Sequence, residues 1–369
     1  MRIVCNGQTF NLSPLGGAID DAFLKMYAAY LGAGGFAWSE FHSAAHEFLD
    51  RPDLSPSDHN DYFNNIATLW NVFFTVGQLD RAEDLWRSAL IPVLEWDNAH
   101  PDRPVHKGTA FYFWGATAIV RGDLDRGYSL MHQAVGEDIR TSGEDFPDTP
   151  ATAVVTLNPE KPDQWFRWWV IQKATLLNQL LVDYAAHSGG QLDFRSLRAK
   201  FLSQPPNRDV VVLFAYVLAR LVKVEEAPAC ALANAFFAQL GLNLLFDISL
   251  TVEVAIREKN PNQNHRTFIH HARFISNSAG LDLTQADLDS ANQRFGADFA
   301  QTATDLLDGA YQLNSGAAPS PRSRDLLLTY GVRNRAAHHL GPIAVIGERF
   351  NEFRAALCNG FFFAVEHLY

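Results

Sequence analysis

Apolar residues recur at three- and four-residue spacing along most of the chain, the period of a helix that buries one face. Strict alternation of apolar and polar positions, the mark of a half-buried strand, is confined to Arg2–Val4 and Ala153–Leu157. The pattern therefore predicts an all-α fold. It breaks where Pro, Gly, Asp and Asn gather, at Arg51–Ser57, Thr141–Gln164, Ser203–Arg208, Asn260–Asn264 and Asn314–Pro321, and these stretches are expected to be connections.

Two segments repeat one arrangement. LWNVFFTVGQLDRAEDLWRSAL (Leu69–Leu90) and YFWGATAIVRGDLDRGYSLMHQAV (Tyr112–Val135) each show a helix, a turn glycine (Gly77, Gly122), the tripeptide Leu-Asp-Arg and a second helix. A small residue stands five positions after the glycine (Ala82, Gly127), a large one nine after (Trp86, Met131) and alanine twelve after (Ala89, Ala134). The arrangement is similar to the tetratricopeptide repeat, in which small residues let two antiparallel helices approach closely. The turn glycines are 45 residues apart, longer than the usual 34-residue period, so the array is irregular. The aromatic run at Trp165–Trp169 is read as the start of a further degenerate helix pair, with the rings as core between repeats.

After residue 225 the periodicity predicts four principal helices, Ala229–Lys259, Thr284–Gln312, Arg322–Leu340 and Gly347–Tyr369, and a shorter one at Thr267–Ser276. Thr284 is an N-cap by type, Asp287 suits the positive helix start, and Gly341–Pro342 is a stop signal. Such helices bury their faces most simply as an up-and-down bundle. All eight tryptophans lie at or before Trp169, so the composition changes along the chain. Two domains are expected, a helical-repeat region over 1–225 and a bundle over 226–369, with the boundary between Ser203 and Ala229.

Composition narrows the function classes. The chain of 369 residues carries 30 Lys+Arg against 41 Asp+Glu, a net charge of −11, so a nucleic-acid site would have to be a local basic patch. Three cysteines, Cys5, Cys230 and Cys358, are too few and too scattered for a disulfide framework, which fits a reducing cytoplasm. The start has no apolar run of signal-peptide length, and polar residues interrupt the most apolar stretch, Ala227–Ile256, which reads as a buried helix and not a membrane span. The sequence holds no phosphate loop, dinucleotide fingerprint, nucleophile elbow or Cys-x-x-Cys pair. His46-Glu47 opens like a metalloprotease helix, but Asp50 stands where the second histidine would be. No cluster has metal-ligand spacing, so no metal and no cofactor is expected.

One constellation stands out, YGVRNRAAHHLG at Tyr330–Gly341. At about 100° per residue, Leu326, Tyr330, Ala337 and Leu340 lie close around Arg333 on the helix. A guanidinium in an apolar stripe is expensive unless it meets an anion or an interface. Between Pro319 and Arg354 six arginines (322, 324, 333, 335, 349 and 354) face three acids (Asp325, Glu348 and Glu352). That local excess is what a phosphate site requires.

Arg-Asn followed by histidine, on the second-last helix of a C-terminal bundle, resembles the Arg-x4–6-His motif of HEPN domains over roughly Glu226–Tyr369. The resemblance implies a metal-independent endoribonuclease in which two protomers pair so that both motifs line one cleft. Carried over, Arg333 and His338 are the motif pair, Asn334 is the polar residue after the arginine, and His339 is a second possible histidine. Arg335, Arg322 and Arg324 are secondary RNA-binding candidates. Histidine can act as base or acid near neutrality, and arginine can hold phosphate in two places. Five residues at about 100° put His338 about 140° around from Arg333, so a single straight helix does not aim both at one atom. A two-fold site with the helix irregular near Gly331 would remove the difficulty. The family's acidic residue followed by a basic pair on the long first helix is matched by Glu253 and Arg257, with Glu258 in place of the second base; their charges are read as solvated. The resemblance also suggests host defence or toxin biology, with the N-terminal repeats targeting or restraining the nuclease through a protein or ligand. The alternative is a non-catalytic assembly protein, in which the bundle dimerises and the repeats grip a partner.

Overall fold

The computed structural model describes the chain except residues 6–7, 33–34, 162–165, 205–206, 226–234, 263–266 and 339–343, and except the side chains of 5, 8, 235–238 and 338. The fold is all-α, helical almost throughout. It forms two compact units, Met1–Val154 with Lys161–Phe166, and Val155–Glu160 with Arg167–Tyr369. The division falls well upstream of the expected 225/226.

The first unit opens with an antiparallel hairpin, β1 (Arg2–Cys5) and β2 (Gln8–Asn11), registered Ile3 to Phe10 and Val4 to Thr9. Ile3 and Phe10 turn inward, and Phe10 meets the Tyr27 ring edge-on at 5.4 Å. Six long helices follow: α1 (Ala18–Leu31), α2 (Trp38–Leu49), α3 (Pro56–Thr75), α4 (Leu79–Ala99), α5 (Gly108–Arg121) and α6 (Leu124–Ser142). The turns at Gly77 and Gly122 lie where the repeated segments placed them, with positive φ of 74° and 89°. Ala82, Trp86, Ala89, Met131 and Ala134 are all fully buried, as their spacing requires. The α5–α6 hairpin is close-packed because Gly127 lacks a side chain; a Cβ there would fall 2.4 Å from Ile119 Cγ1. Glu83, 2 % exposed on α4, accepts hydrogen bonds from Arg121 of α5 and Arg126 of α6, and so ties three helices together. Burial opposes its ionisation, but the guanidiniums of Arg126 and Arg121 hold the carboxyl below its ordinary range.

The strand expected at Ala153–Leu157 is instead mostly helix, α7 (Pro150–Val155), correcting the alternation reading. Thr149 starts it by accepting from Thr152 N, and proline suits its first turn. The apolar residues there are buried on every side, so their order carries no period.

The second unit holds α8 (Arg167–Ser188), α9 (Phe194–Leu197), which widens into one looser turn at Arg198–Leu202, and α10 (Arg208–Glu225). These helices pack with those after residue 235, so the run ending at Trp169 begins a helix of this unit and not another repeat. Then come α11 (Ala235–Lys259), α12 (Phe268–Ala279), α13 (Gln285–Ala297), α14 (Phe299–Leu307), α15 (Pro321–His338), α16 (Ala344–Glu348) and α17 (Phe350–Leu368). Thr284 is the N-cap of α13 as expected, and Asp287 reaches back to it to complete a capping box. The single helix expected over Thr284–Gln312 is broken at Asp298, whose extended backbone (φ −148°, ψ 97°) ends α13 and whose carboxylate caps α14. The stop at Gly341–Pro342 lies outside the described residues. From Gln239 to Lys259, α11 is long and apolar enough to cross a membrane, and 61 % of that window is buried inside the molecule.

Candidate functional site

Helix α15 is the centre of the second unit, in contact with α11, α12, α13, α14 and α17. From Leu326 to Val332 it is buried on every side. At Arg333 it leaves the core: residues 333–336 are half-buried and Ala337 is exposed. The apolar stripe read around Arg333 therefore does not continue to Ala337. The helix also runs unbroken through Gly331, against the irregularity expected there. The glycine serves a neighbour instead, since a Cβ would fall 2.4 Å from Phe295 Cζ.

Where α15 emerges, a cleft of about 370 Å³ opens between it, α12 and α13. Tyr330, Gly331, Arg333, Asn334 and Arg335 form one wall; Thr267 and Phe268, then Asn292, Phe295 and Phe299, form the others. The Tyr330 hydroxyl donates to Asn292 Oδ1 at 2.7 Å, its ring stacks on Phe268 at 6.0 Å, and burial raises its pKa.

Arg333 reaches across to α11, where its Nε donates to Glu253 Oε2 at 2.8 Å and Nη2 to Oε1 at 3.4 Å. Glu253 is 7 % exposed, so the reading of its charge as solvated is corrected. A carboxylate desolvated to this degree requires a cation, and Arg333 supplies it with a fork that fits both oxygens. Arg257 lies beside Glu258 at 3.9 Å and does not line the cleft. Arg335 differs from Arg333. Its Nε is buried with no hydrogen-bond partner among the described residues.

Arg322 and Arg324 sit at the opposite end of α15, away from the cleft. Arg322 covers the Phe363 ring and faces Glu366, while Arg324 holds Asp325 at 2.8 Å and contacts His187. Arg349 pairs with Asp308 and Glu352, and Arg354 with Glu225. Of the six arginines counted as a basic patch, five therefore meet carboxylates among the described residues, four of them acids outside the window or elsewhere in the fold. His338 is the last residue of α15 and its side chain lies outside the described residues, as does all of His339. His271 is buried beside Asn260, and His270 contacts the Thr267 hydroxyl at 2.7 Å; neither borders the cleft.

The walls from α12 and α13 carried no sequence signal, because Asn292 and Phe295 reach the site only through tertiary packing. Among the described residues no group of three or more His, Cys, Asp or Glu is placed to hold a metal ion. Comparison with family models, with curated proteins and with solved structures finds no match to this chain.

Proposed function

We propose that the chain is a metal-independent endoribonuclease of the HEPN type, acting through Arg333 and His338 in a homodimer. The observation that carries the reading is the cleft beside α15, where Arg333, Asn334 and Arg335 share one wall and the Arg335 Nε lacks a partner among the described residues. A buried guanidinium Nε–H without a partner favours an anion that can accept from it. In the proposed reaction a base takes the proton of a 2′-hydroxyl, whose oxygen attacks the adjacent phosphorus. The 5′-oxygen leaves with a proton from an acid, giving a 2′,3′-cyclic phosphate and a 5′-hydroxyl. The histidine of one or both protomers serves as base or acid, and arginine meets the charge that builds on phosphate. Glu253 is a positioning residue for Arg333. The N-terminal helices are proposed to target or restrain the nuclease, in host defence or as a toxin.

The test is RNA cleavage in EDTA by wild type, Arg333→Ala and His338→Ala. Cleavage with cyclic ends by wild type alone is the expected result, with each variant folded and of wild-type oligomeric state. A fully active monomer, or variants as active as wild type, would overturn the reading. One observation favours a second reading: Arg333 is already matched by Glu253, as an inter-helix strut would be. A non-catalytic assembly protein would show lower stability in Arg333→Ala and no cleavage to lose.

A further inference from the structure

The first unit contains a second cleft, of about 290 Å³, that the ribonuclease reading does not use. Its wall includes His59 on α3, Trp96 near the end of α4, Arg103 and His106 on the α4–α5 connection, and Arg140 and Thr141 on α6. Its ionisable lining is basic or histidyl, and among the described residues no carboxylate lines it.

The acids lie behind this wall and are already matched. Lys107, 6 % exposed, donates to Asp97 and to the Val105 carbonyl and lies 3.3 Å from Glu137. Asp97 also accepts from Val105 N, and Glu137 from Lys107 N and Arg140. Asp138 faces His106 Nε2 at 3.5 Å, and Gly108 makes their approach possible, because a Cβ there would stand 2.3 Å from Asp138 Oδ1. Burial lowers the pKa of both His59 and His106, which favours their neutral rings.

Of the two arginines that line the cleft, Arg103 is the less committed. The Arg103 guanidinium lies over the Trp96 ring at 5.4 Å and, among the described residues, makes one hydrogen bond, from Nη2 to the Arg51 carbonyl at 3.0 Å. Arg140 uses Nη2 for Val105 and Glu137. His59 Nδ1 accepts from His106 N at 3.4 Å, which leaves the proton of the neutral ring on Nε2 as a donor. Donors from three directions suit a tetrahedral anion with several acceptor oxygens better than a planar carboxylate. The volume is at the small end of ligand sites.

We propose that this cleft binds a small organic phosphate through Arg103, Arg140 and His59. The proposal is independent of the nuclease reading, since its readout is binding and not cleavage. The full-length protein is titrated at constant ionic strength with inorganic phosphate, ribose 5-phosphate and AMP, with ribose and adenosine as controls, by calorimetry and by thermal shift. Arg103→Met removes an exposed side chain from the wall, and Arg87→Met removes an equal charge outside it. Saturable binding of at least one phosphate is expected, with a rise in melting temperature that follows ligand concentration. Arg103→Met should weaken binding by about ten-fold or more, the usual loss for a charge-assisted hydrogen bond, and Arg87→Met should leave it unchanged. Absence of saturable phosphate binding would overturn the proposal. So would equal affinity for adenosine and AMP, wild-type affinity in Arg103→Met, or equal weakening by Arg87→Met.

Discussion

Arg333 and Arg103 each border a cleft, but their surroundings are opposite. Arg333 leaves a buried helix and is met at once by Glu253, a carboxylate eighty residues away in sequence. Arg103 is exposed on a connection, where the nearby acids are already matched, Asp97 by Lys107 and Glu137 by Lys107 and by Arg140, itself a wall residue. The six arginines between Pro319 and Arg354 look like a basic patch in sequence, yet most of that charge is cancelled in space. HPDRPVHKG, His100–Gly108, carries Arg103 and Lys107 against Asp102, and the fold sorts these donors, with Arg103 and His106 lining the cleft and Lys107 pairing with Asp97 and Glu137. Charge is informative only after the partners have been placed.

Each unit also buries one glutamate against arginine, and the two test how far burial sets the energy. Glu83 is 2 % exposed and shared by Arg121 and Arg126, whereas Glu253 is 7 % exposed and among the described residues is bonded to Arg333. Glu83→Ala should cost about 3–5 kcal/mol, the usual loss when one side of a buried ion pair is removed. Glu253→Ala should cost less, about 1–3 kcal/mol, since Arg333 keeps access to water on the cleft side. Urea unfolding of both variants measures the difference, and equal losses would break the contrast.

The second cleft wall can be tested through Gly331. With Phe295 Cζ 2.4 Å from where a Cβ would stand, Gly331→Val must displace an aromatic ring that is packed on α15. A loss of about 1–3 kcal/mol is expected from such overpacking. Phe295→Leu in the same background should recover part of it. A Gly331→Val variant with wild-type stability would mean that α15 and α13 are not in contact there.

How much of this was legible depends on the distance over which each feature is determined. The turn glycines, the buried positions of the two repeated hairpins and the Thr284 N-cap are set by residues within a dozen positions, and residue type and spacing revealed them. The division into units was missed because α8 and α10 belong with the later helices by packing alone, which a change in tryptophan content cannot report. Glu253 was noticed and misread, since a glutamate on an apolar helix looks solvated until its partner is known. The first-unit cleft was missed although His100–Gly108 carries two histidines, an arginine, a lysine and two prolines, a density of donors unusual for a connection. That density was the available signal.

Acid should distinguish the first unit's cleft. Burial lowers the pKa of His59 and His106; Asp58 and Asp97 act in the opposite sense on His59, and Asp138 and Glu137 on His106, while Lys107 adds to the lowering of both and Arg140 to that of His106. With the folded values below the ordinary 6.5, the unfolded chain binds more protons as pH falls through that value. Stability carried by these rings is therefore complete above pH 6.5 and declines below it. The melting temperature of wild type should fall between pH 7 and 5.5 more steeply than that of a His59→Gln, His106→Gln double variant. Parallel profiles would remove these histidines from the account.

The smallest effect is expected at Asp298, where the two regions of the second-unit wall meet. Its extended backbone separates α13 from α14, and its Oδ1 accepts from Gln301 N at 3.0 Å, satisfying a donor that the first turn of α14 leaves open. Phe295 and Phe299, on either side of this corner, both line the cleft, so the cap fixes their separation as well as the helix start. Asp298→Ala should cost about 1 kcal/mol, the usual loss at an N-cap, and Asp298→Ser or Asp298→Asn much less. If the proposed cleavage site lies in this cleft, Asp298→Ala should also weaken RNA binding while leaving the Arg333–Glu253 pair intact, because the change is in the position of two rings and not in charge. A stability loss without any change in RNA binding would confine the corner to a capping role and leave Arg333, Asn334 and Arg335 as the working wall.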